Sequence, residues 1–399
     1  MNSSQASAPA DGIRLVAVRV AGSAALAAID MAWASGAAVL PLDPDADPAT
    51  AVRLGAAEMI DGTTRTPLPD AAPVPAGTAL VVCTSGTTGS PRGVVLSHDA
   101  LRSGVDASLL RLGCVAGDRW LCVLPLHHVA GLLVVLRARA LGSEPIIHPR
   151  FDVSAIAREA AATHVALVPT MLHRLLDHGV DVARYRRVLL GGASLPPGLL
   201  ERARAAGARV VTSYGMTEAA GGCVYDGIPL DGVAVAVDPD GRVLVRGPVL
   251  ADGYRTGHTI VPITVDGWFR TSDVGRWDGA RLVVSGRADD VVVTGGVNVS
   301  TAAVAEILHD HGAVADAAVI GVDDPEWGQR LVAYVVPTDP TRPPTVAQLR
   351  AFVRTRAAPA YAPREVNVVT SLPRTALGKV DRHALRSDGH KTREPRTPP

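Results

Sequence analysis

The sequence predicts an α/β protein: a large N-terminal domain of doubly wound sheets with a small barrel-like β section, followed by a small α+β C-terminal domain. Three observations predict it. Short β-branched runs alternate with longer amphipathic stretches up to about residue 229; the segment 230–285 is broken by Gly and Asp turns between short strands; a fresh set of helix and strand patterns begins at Asp290. Alternating β and α units imply a mostly parallel sheet whose ligands sit at the carboxyl ends of its strands. A length of 399 residues leaves room for about two or three such units.

In chain order, 13–20 reads as a strand, 23–34 as a helix and 39–42 as a strand. Asp47 and Pro48 then supply an N-cap and a first helical residue. Further β-branched runs fall at 79–83, 119–124, 164–168, 188–190 and 209–212, each followed by a helical or glycine-rich segment. The turn-rich section carries strands at 242–246 and 281–284, which suggests antiparallel pairing. Beyond it come a helix at 301–310, strands at 317–322 and 331–336, a proline-rich solvent loop at 337–344 and a helix at 346–356. The expected division is therefore 1–288, 289–386 and a tail, 387–399, that has no apolar residue to bury and is expected to be disordered, as are residues 1–11.

Composition narrows the function. There are 39 basic and 39 acidic residues, and this zero formal charge speaks against nucleic acid as a partner. No apolar run reaches the roughly 18 residues of a membrane span, and the first residues show neither the basic nor the apolar part of a secretion signal. No integral membrane contact is expected. The four cysteines show no CxxC spacing, so neither a disulfide framework nor a zinc site is expected and the expected compartment is the reducing cytoplasm. The sequence is silent on oligomeric state and leaves a homodimer open. All but two of the basic residues are arginine, the exceptions being Lys379 and Lys391. A lysine inside an ordered segment of such a chain calls for a chemical reason.

The most informative segment runs from Thr84 to Gly93, directly after an apolar strand. Gly86, Gly89 and Gly93 let backbone N–H groups turn toward an anion, while Thr84, Ser85, Thr87 and Thr88 add hydroxyl donors. Arg92 adds a fixed positive charge, and a helix is expected from Ser97. An ordinary Gly/Ser/Thr turn is the bland alternative, but ten such residues straight after a strand make a phosphate loop the better reading. No Gly-Lys-Ser/Thr follows, so this is not a Walker A loop.

Thr84–Gly93 resembles the phosphate loop of the adenylate-forming superfamily, which includes acyl-CoA synthetases, adenylation domains and luciferases. Further segments resemble that family's motifs in order. Pro125-Leu-His127-His128 is similar to the motif at the acyl pocket mouth, and Gly191-Gly192-Ala193-Ser194 to the loop flanking the adenine. The latter also mimics a phosphopantetheine attachment site, but its place within the sheet pattern argues against attachment at Ser194. Ser213-Tyr214-Gly215-Met216-Thr217-Glu218 is the second strong match. There the resemblance implies Tyr214 against the adenine, Thr217 on a phosphate and Glu218 holding Mg²⁺. Thr271-Ser272-Asp273 is similar to the ribose-binding TGD, with Ser for Gly; Arg287 would contact the ribose and Asp289 would be the hinge between domains. Thr294-Gly-Gly-Val-Asn298 is similar to the loop that meets the thiol donor.

The last segment, 373–382, resembles the catalytic-lysine loop, and the scarcity of lysine singles out Lys379 independently. A compact ammonium can bridge a carboxylate and an α-phosphate oxygen in a way a planar guanidinium cannot. Arg92 departs from the family, which usually has Lys there. The resemblance implies an AMP-forming acid–thiol ligase using ATP, Mg²⁺ and coenzyme A on a small aryl or acyl carboxylate, with catalytic residues Lys379, Glu218, Thr217 and His127. The early phosphate loop and the run Tyr214–Tyr225 look most like actinobacterial o-succinylbenzoate–CoA ligases of menaquinone (vitamin K2) biosynthesis. Gly221 and Gly222 would leave room for a flat aryl group, with His128 and Gly191 also at the acyl pocket. For a second carboxylate the candidates are His127, Thr170 or a nearby arginine. A fatty-acyl or aryl-acid CoA ligase is the alternative, followed by a noncatalytic nucleotide-binding relative.

Overall fold

The computed structural model describes residues 12–84, 92–193, 195, 198–373, 380–381 and 384–385. Of the residues singled out above, Ser85, Gly86, Thr87, Thr88, Gly89, Ser194 and Lys379 lie outside the described residues, as do 1–11, the tail 387–399 and the side chain of Asp289.

Two large sheets organise the N-terminal part. In the first the strand order is Thr259–Pro262, Gly253–Thr256, Arg92–Ser97, Thr78–Thr84, Ala38–Pro41, Leu15–Val18, Glu58–Asp61, Thr64–Pro67. The middle of this sheet is parallel and its flanks are antiparallel. In the second the order is Ile146–Ile147, Trp120–Cys122, His164–Leu167, Arg187–Gly191, Val210–Met216, Gly221–Tyr225, Ile228–Pro229, of which the first five are parallel.

The strands read as continuous apolar runs because both faces are covered. In His164–Leu167 the pleat sends Ala166 into the core between the sheets and Val165 and Leu167 into an outer core. The next strand repeats this, with Leu189 inward and Val188 and Leu190 outward. The inner core also takes Ile29, Leu101 and Leu132 from the helices Gly22–Ala34, His98–Leu112 and Val129–Ala140, so these lie between the sheets. Helix Val129–Ala140 is apolar nearly all round, as a helix buried on most sides must be. The outer core adds Leu172 and Leu175 of helix Pro169–Asp177.

The helix expected from Ser97 is present as His98–Leu112, but a strand that the sequence did not announce precedes it. Arg92–Ser97 is a strand, antiparallel to Thr78–Thr84 with Cys83 opposite Gly93 and Thr84 opposite Arg92. The loop thus joins a hairpin, and the helix begins only at His98, capped by the Ser97 hydroxyl on Ala100 N–H at 3.1 Å. Gly93 lies in this strand and not in a turn, and a Cβ there would lie 2.4 Å from Val81 Cγ1, so packing excludes a side chain.

The turn-rich section is an antiparallel sheet of Ala234–Val237, Arg242–Arg246, Trp268–Asp278 and Thr264–Val265, with Arg281–Arg287 also paired to Trp268–Asp278. The one-turn 3₁₀ segment Ala288–Asp290 then leads into a last sheet. There Gly328–Pro337 pairs with Val314–Asp324 and Glu365–Val368, and helices Thr301–His309 and Val346–Arg354 cover a core of their own. Thr345 and Gln348 close a capping box on the second of these helices.

Candidate active site

Parallel strands deliver the residues beyond their carboxyl ends to one edge, and the second sheet does this four times. His127 and His128 come after strand Trp120–Cys122; Thr170 lies in the first turn of the helix after His164–Leu167; Gly192 and Ala193 succeed Arg187–Gly191; and Val210–Met216 runs into the 3₁₀ turn Thr217–Ala219. The hexamer 213–218 is therefore mostly strand, with a register shift between Tyr214 and Gly215 against Gly221–Tyr225.

Close packing makes this shift possible. A Cβ on Gly215 would sit 1.9 Å from the Gly221 carbonyl oxygen. One on Gly191 would sit 2.6 Å from the Ser213 carbonyl oxygen. The expectation that Gly221 and Gly222 leave room for an aryl group needs correcting. Leu133 Cδ1 lies 2.2 Å from the Cβ position of Gly221, and Ser213 Oγ and Tyr225 Cε1 lie 2.3 and 2.8 Å from that of Gly222. Protein atoms already take this space, and these glycines serve backbone approach.

Two tyrosine–carboxylate pairs hold the edge together. The Tyr214 hydroxyl donates to Asp273 Oδ2 at 2.8 Å. Asp273 faces Arg287 across the Trp268–Asp278/Arg281–Arg287 pair, so the proposed adenine and ribose residues converge from two sheets. Burial raises the Asp273 carboxyl above its ordinary value, against the Tyr214 hydroxyl, Arg287 and Arg242, which act to lower it. Burial and Asp273 push the Tyr214 phenol up, so it stays a donor. The Thr271 hydroxyl accepts from Asp273 N–H at 3.0 Å, which gives the first residue of the motif a local task. Ser272, the departure from Gly, is exposed and meets no constraint of this kind.

The second pair was not foreseen. Tyr254 donates to Glu218 Oε1 at 2.7 Å, and its ring lies 5.8 Å from the Arg92 guanidinium carbon. Burial, together with Glu218, raises the Tyr254 phenol. Strand Gly253–Thr256 brings it there by pairing with Arg92–Ser97, with Tyr254 opposite Val94 and Arg255 opposite Gly93. Arg255 is fully buried and donates to the carbonyls of Leu54, Ala72 and Pro73 at 2.7, 2.8 and 3.0 Å, pinning the strand. Glu218 is further held by its own carbonyl, which accepts from Ala251 N–H at 2.8 Å. A half-buried carboxylate, fixed by one hydroxyl and with oxygen lone pairs to spare, suits a hard cation such as Mg²⁺.

At the other end of the edge, His127 Nε2 lies 3.4 Å from Asp43 Oδ2, and its ring meets that of His128 edge-on at 4.4 Å. Burial lowers the His127 pKa, opposed by Asp43, which favours a neutral imidazole near pH 7. Thr170 and Arg174 are both exposed, one helical turn apart on Pro169–Asp177, with Arg174 stacked 5.0 Å from the Phe151 ring.

With this geometry in place, relatives decide the family. The AMP-binding enzyme model matches residues 35–255, and the AMP-binding enzyme C-terminal domain matches 303–379. The chain belongs to the AMP-binding enzyme family. Within that family it is 43% identical over 321 residues to a probable 2-succinylbenzoate–CoA ligase of Mycobacterium tuberculosis, covering 77% of this chain and 83% of the relative. It is 34% identical to the 2-succinylbenzoate–CoA ligase of Bacillus licheniformis, over 77% of this chain and 69% of the relative. Among solved structures, the o-succinylbenzoate CoA synthetase of Bacillus subtilis with its acyl-adenylate intermediate OSB-AMP superposes with a TM-score of 0.81, at 27% identity, over 94% of this chain and 89% of that one. The same enzyme with ATP and magnesium ion gives 0.79. Family membership, taken together with these ligase relatives, makes this an AMP-forming acid–CoA ligase.

Proposed function

We propose that the protein is a 2-succinylbenzoate–CoA ligase of menaquinone biosynthesis, which forms an acyl-adenylate and passes the acyl group to coenzyme A. The observation that carries this reading is the match along most of both chains to ligases of that name. In the first half-reaction a substrate carboxylate oxygen bonds to the α-phosphorus of ATP as the bond from that phosphorus to the bridging oxygen breaks, and pyrophosphate leaves. In the second, the coenzyme A sulfur bonds to the acyl carbon, AMP leaves with the former carboxylate oxygen, and the thiol proton passes to solvent.

The chain's own residues mostly position and neutralise charge. Tyr214 and Asp273 hold the nucleoside, with Arg287 beside the ribose. Residues 84–92, with Gly192, Ala193 and Ser194, surround the phosphates and adenine. Thr217 donates to a phosphate oxygen. Glu218, oriented by Tyr254, would hold Mg²⁺, whose charge offsets that of the phosphates. Lys379 bridges the acyl and α-phosphate oxygens. Asp289, placed between the antiparallel sheet and the last sheet, is the pivot by which the unit 289–386 swings Lys379 away from the site. His127 and His128 line the acyl entrance. For the second carboxylate we take Arg174, which shares a helix face with Thr170, as the arginine to test. The proposed compartment is the cytoplasm, where four free thiols persist.

The test is pyrophosphate release and thioester formation with 2-succinylbenzoate, decanoate and benzoate at matched concentrations. Fast turnover confined to 2-succinylbenzoate is expected. A preference for decanoate or benzoate, or adenylation without thioester, would overturn the assignment.

A further inference from the structure

At the opposite edge of the second sheet, where its parallel strands begin, three metal-ligating side chains meet away from the nucleotide. Cys114 lies just past helix His98–Leu112, Asp118 lies in the turn before strand Trp120–Cys122, and His164 opens strand His164–Leu167. Their ligand atoms all lie within 4.8 Å of one another. Asp118 and His164 are buried, at 1% exposure each, and Cys114 is half-buried.

We propose that Cys114, Asp118 and His164 form a binding site for one divalent ion of the zinc class, which staples the end of helix His98–Leu112 to the start of the sheet.

The donor set of thiolate, imidazole and carboxylate suits a borderline-soft ion and not Mg²⁺ or Ca²⁺. Distances accord with it. Zn–S and Zn–N bonds of about 2.3 and 2.05 Å place S and N about 3.5 Å apart in a tetrahedron, and Cys114 Sγ lies 3.5 Å from His164 Nε2. Asp118 Oδ2 stands 4.0 Å from Nε2, so the carboxylate needs only a small turn inward.

The surroundings already supply what supports a ligating histidine. His164 Nδ1 lies 2.8 Å from Thr163 Oγ1, which also accepts from Arg119 N–H at 2.8 Å and has the Arg119 carbonyl at 3.2 Å to receive its proton. That hydroxyl can accept a hydrogen bond from Nδ1–H, which leaves the Nε2 lone pair facing Cys114. Asp118 Oδ2 accepts from Val115 N–H at 2.9 Å, and Oδ1 takes Arg186 Nη1 at 2.8 Å. Arg186, Arg187 and Arg209 rim the cavity outside His164. Their charge opposes a bare cation, but a site carrying one thiolate and one carboxylate is neutral with a divalent ion. Binding displaces the Cys114 thiol proton to solvent as the S–metal bond forms. A water from the cavity completes four-coordination.

The site is independent of the ligase assignment and is tested on the full chain after chelation. Titration with Co²⁺ is expected to give a near-ultraviolet sulfur-to-cobalt band and four-coordinate ligand-field bands, saturating at one equivalent and erased by Zn²⁺. Zn²⁺ should raise the melting temperature of the parent chain. Cys114→Ser should lose the sulfur band and the thermal shift, and Thr163→Val should weaken affinity about 10–100-fold. If Cys114→Ser does not fold, His164→Gln reads the same losses. Absence of the sulfur band in the parent chain, or its persistence in Cys114→Ser through Cys83, Cys122 or Cys223, would overturn the proposal.

Discussion

Removing one hydroxyl, by Tyr254→Phe, probes the half of the site that holds Glu218. The ring stays, and with it the face toward Arg92, so the substitution isolates the 2.7 Å hydrogen bond to Oε1. Hydrogen bonds to charged groups contribute about 1.5–3 kcal/mol net. Glu218 is only half-buried, so water can replace the lost donor and the lower end of that range applies. At 1.36 kcal/mol per decade, about 1.5 kcal/mol is roughly a tenfold fall in kcat/KM for adenylation. Since the hydroxyl orients the proposed Mg²⁺ ligand, the Mg²⁺ concentration for half-maximal rate should rise by a similar factor. The assay is pyrophosphate release across a Mg²⁺ series, with circular dichroism as the check on folding. If Tyr254→Phe matches the parent chain in both quantities, Tyr254 does not position Glu218 for metal, and the assignment of that carboxylate falls with it.

The same geometry yields other outcomes. Gly215→Ala places a Cβ 1.9 Å from the Gly221 carbonyl oxygen, which is backbone and must move. Nucleotide affinity measured by calorimetry should drop by at least about tenfold, a cost of about 1.4 kcal/mol or more. Lys379→Ala should abolish adenylation yet leave thioester formation from supplied acyl-adenylate largely intact, as read by thioester chromatography. Burial holds His98 and His127 below the ordinary histidine value near 6.5. Below that value the unfolded chain takes up protons that the folded chain does not. Stability from these two groups is therefore present above pH 6.5 and lost as pH falls through their lowered folded values. Melting temperatures between about pH 7.5 and 5.5 should decline, and less so in a His127→Gln, His98→Gln double variant.

Much of the fold was legible because its signals are local. Apolar runs such as 164–167, buried on both faces, need no knowledge of the rest of the chain. The expected cap at Asp47 is displaced by one residue: Pro48 holds the N-cap position of helix Ala49–Arg53, and Asp47 Oδ1 accepts from Ala49 N–H at 2.9 Å in the turn before it. The strand Arg92–Ser97 was hidden because its three apolar residues adjoin a helix start, and only pairing with Thr78–Thr84 and Gly253–Thr256 makes it a strand. At the site, the motif residues Tyr214, Glu218 and Asp273 were legible as chemistry, but their partners were not. Tyr254 stands 36 residues from Glu218 in a turn-rich stretch, and Asp43 lies far from His127 in an ordinary strand-end loop. No short-range pattern announces such pairs. Gly221 and Gly222 were read as empty space because a glycine in a sequence does not say which atoms fill the place of its side chain.

The buried Arg255 has a consequence for biogenesis. The hairpin that frames the phosphate loop keeps one bare backbone edge until residues 253–256 leave the ribosome and zip onto it. Arg255 must at that moment reach carbonyls made about 200 positions earlier. A nascent chain halted before this point would expose a sticky, unpaired rim of Val94, Val95 and Leu96. Truncations ending near residue 250 should accumulate as aggregates, and the newly made enzyme should depend on chaperone shelter until that late strand arrives.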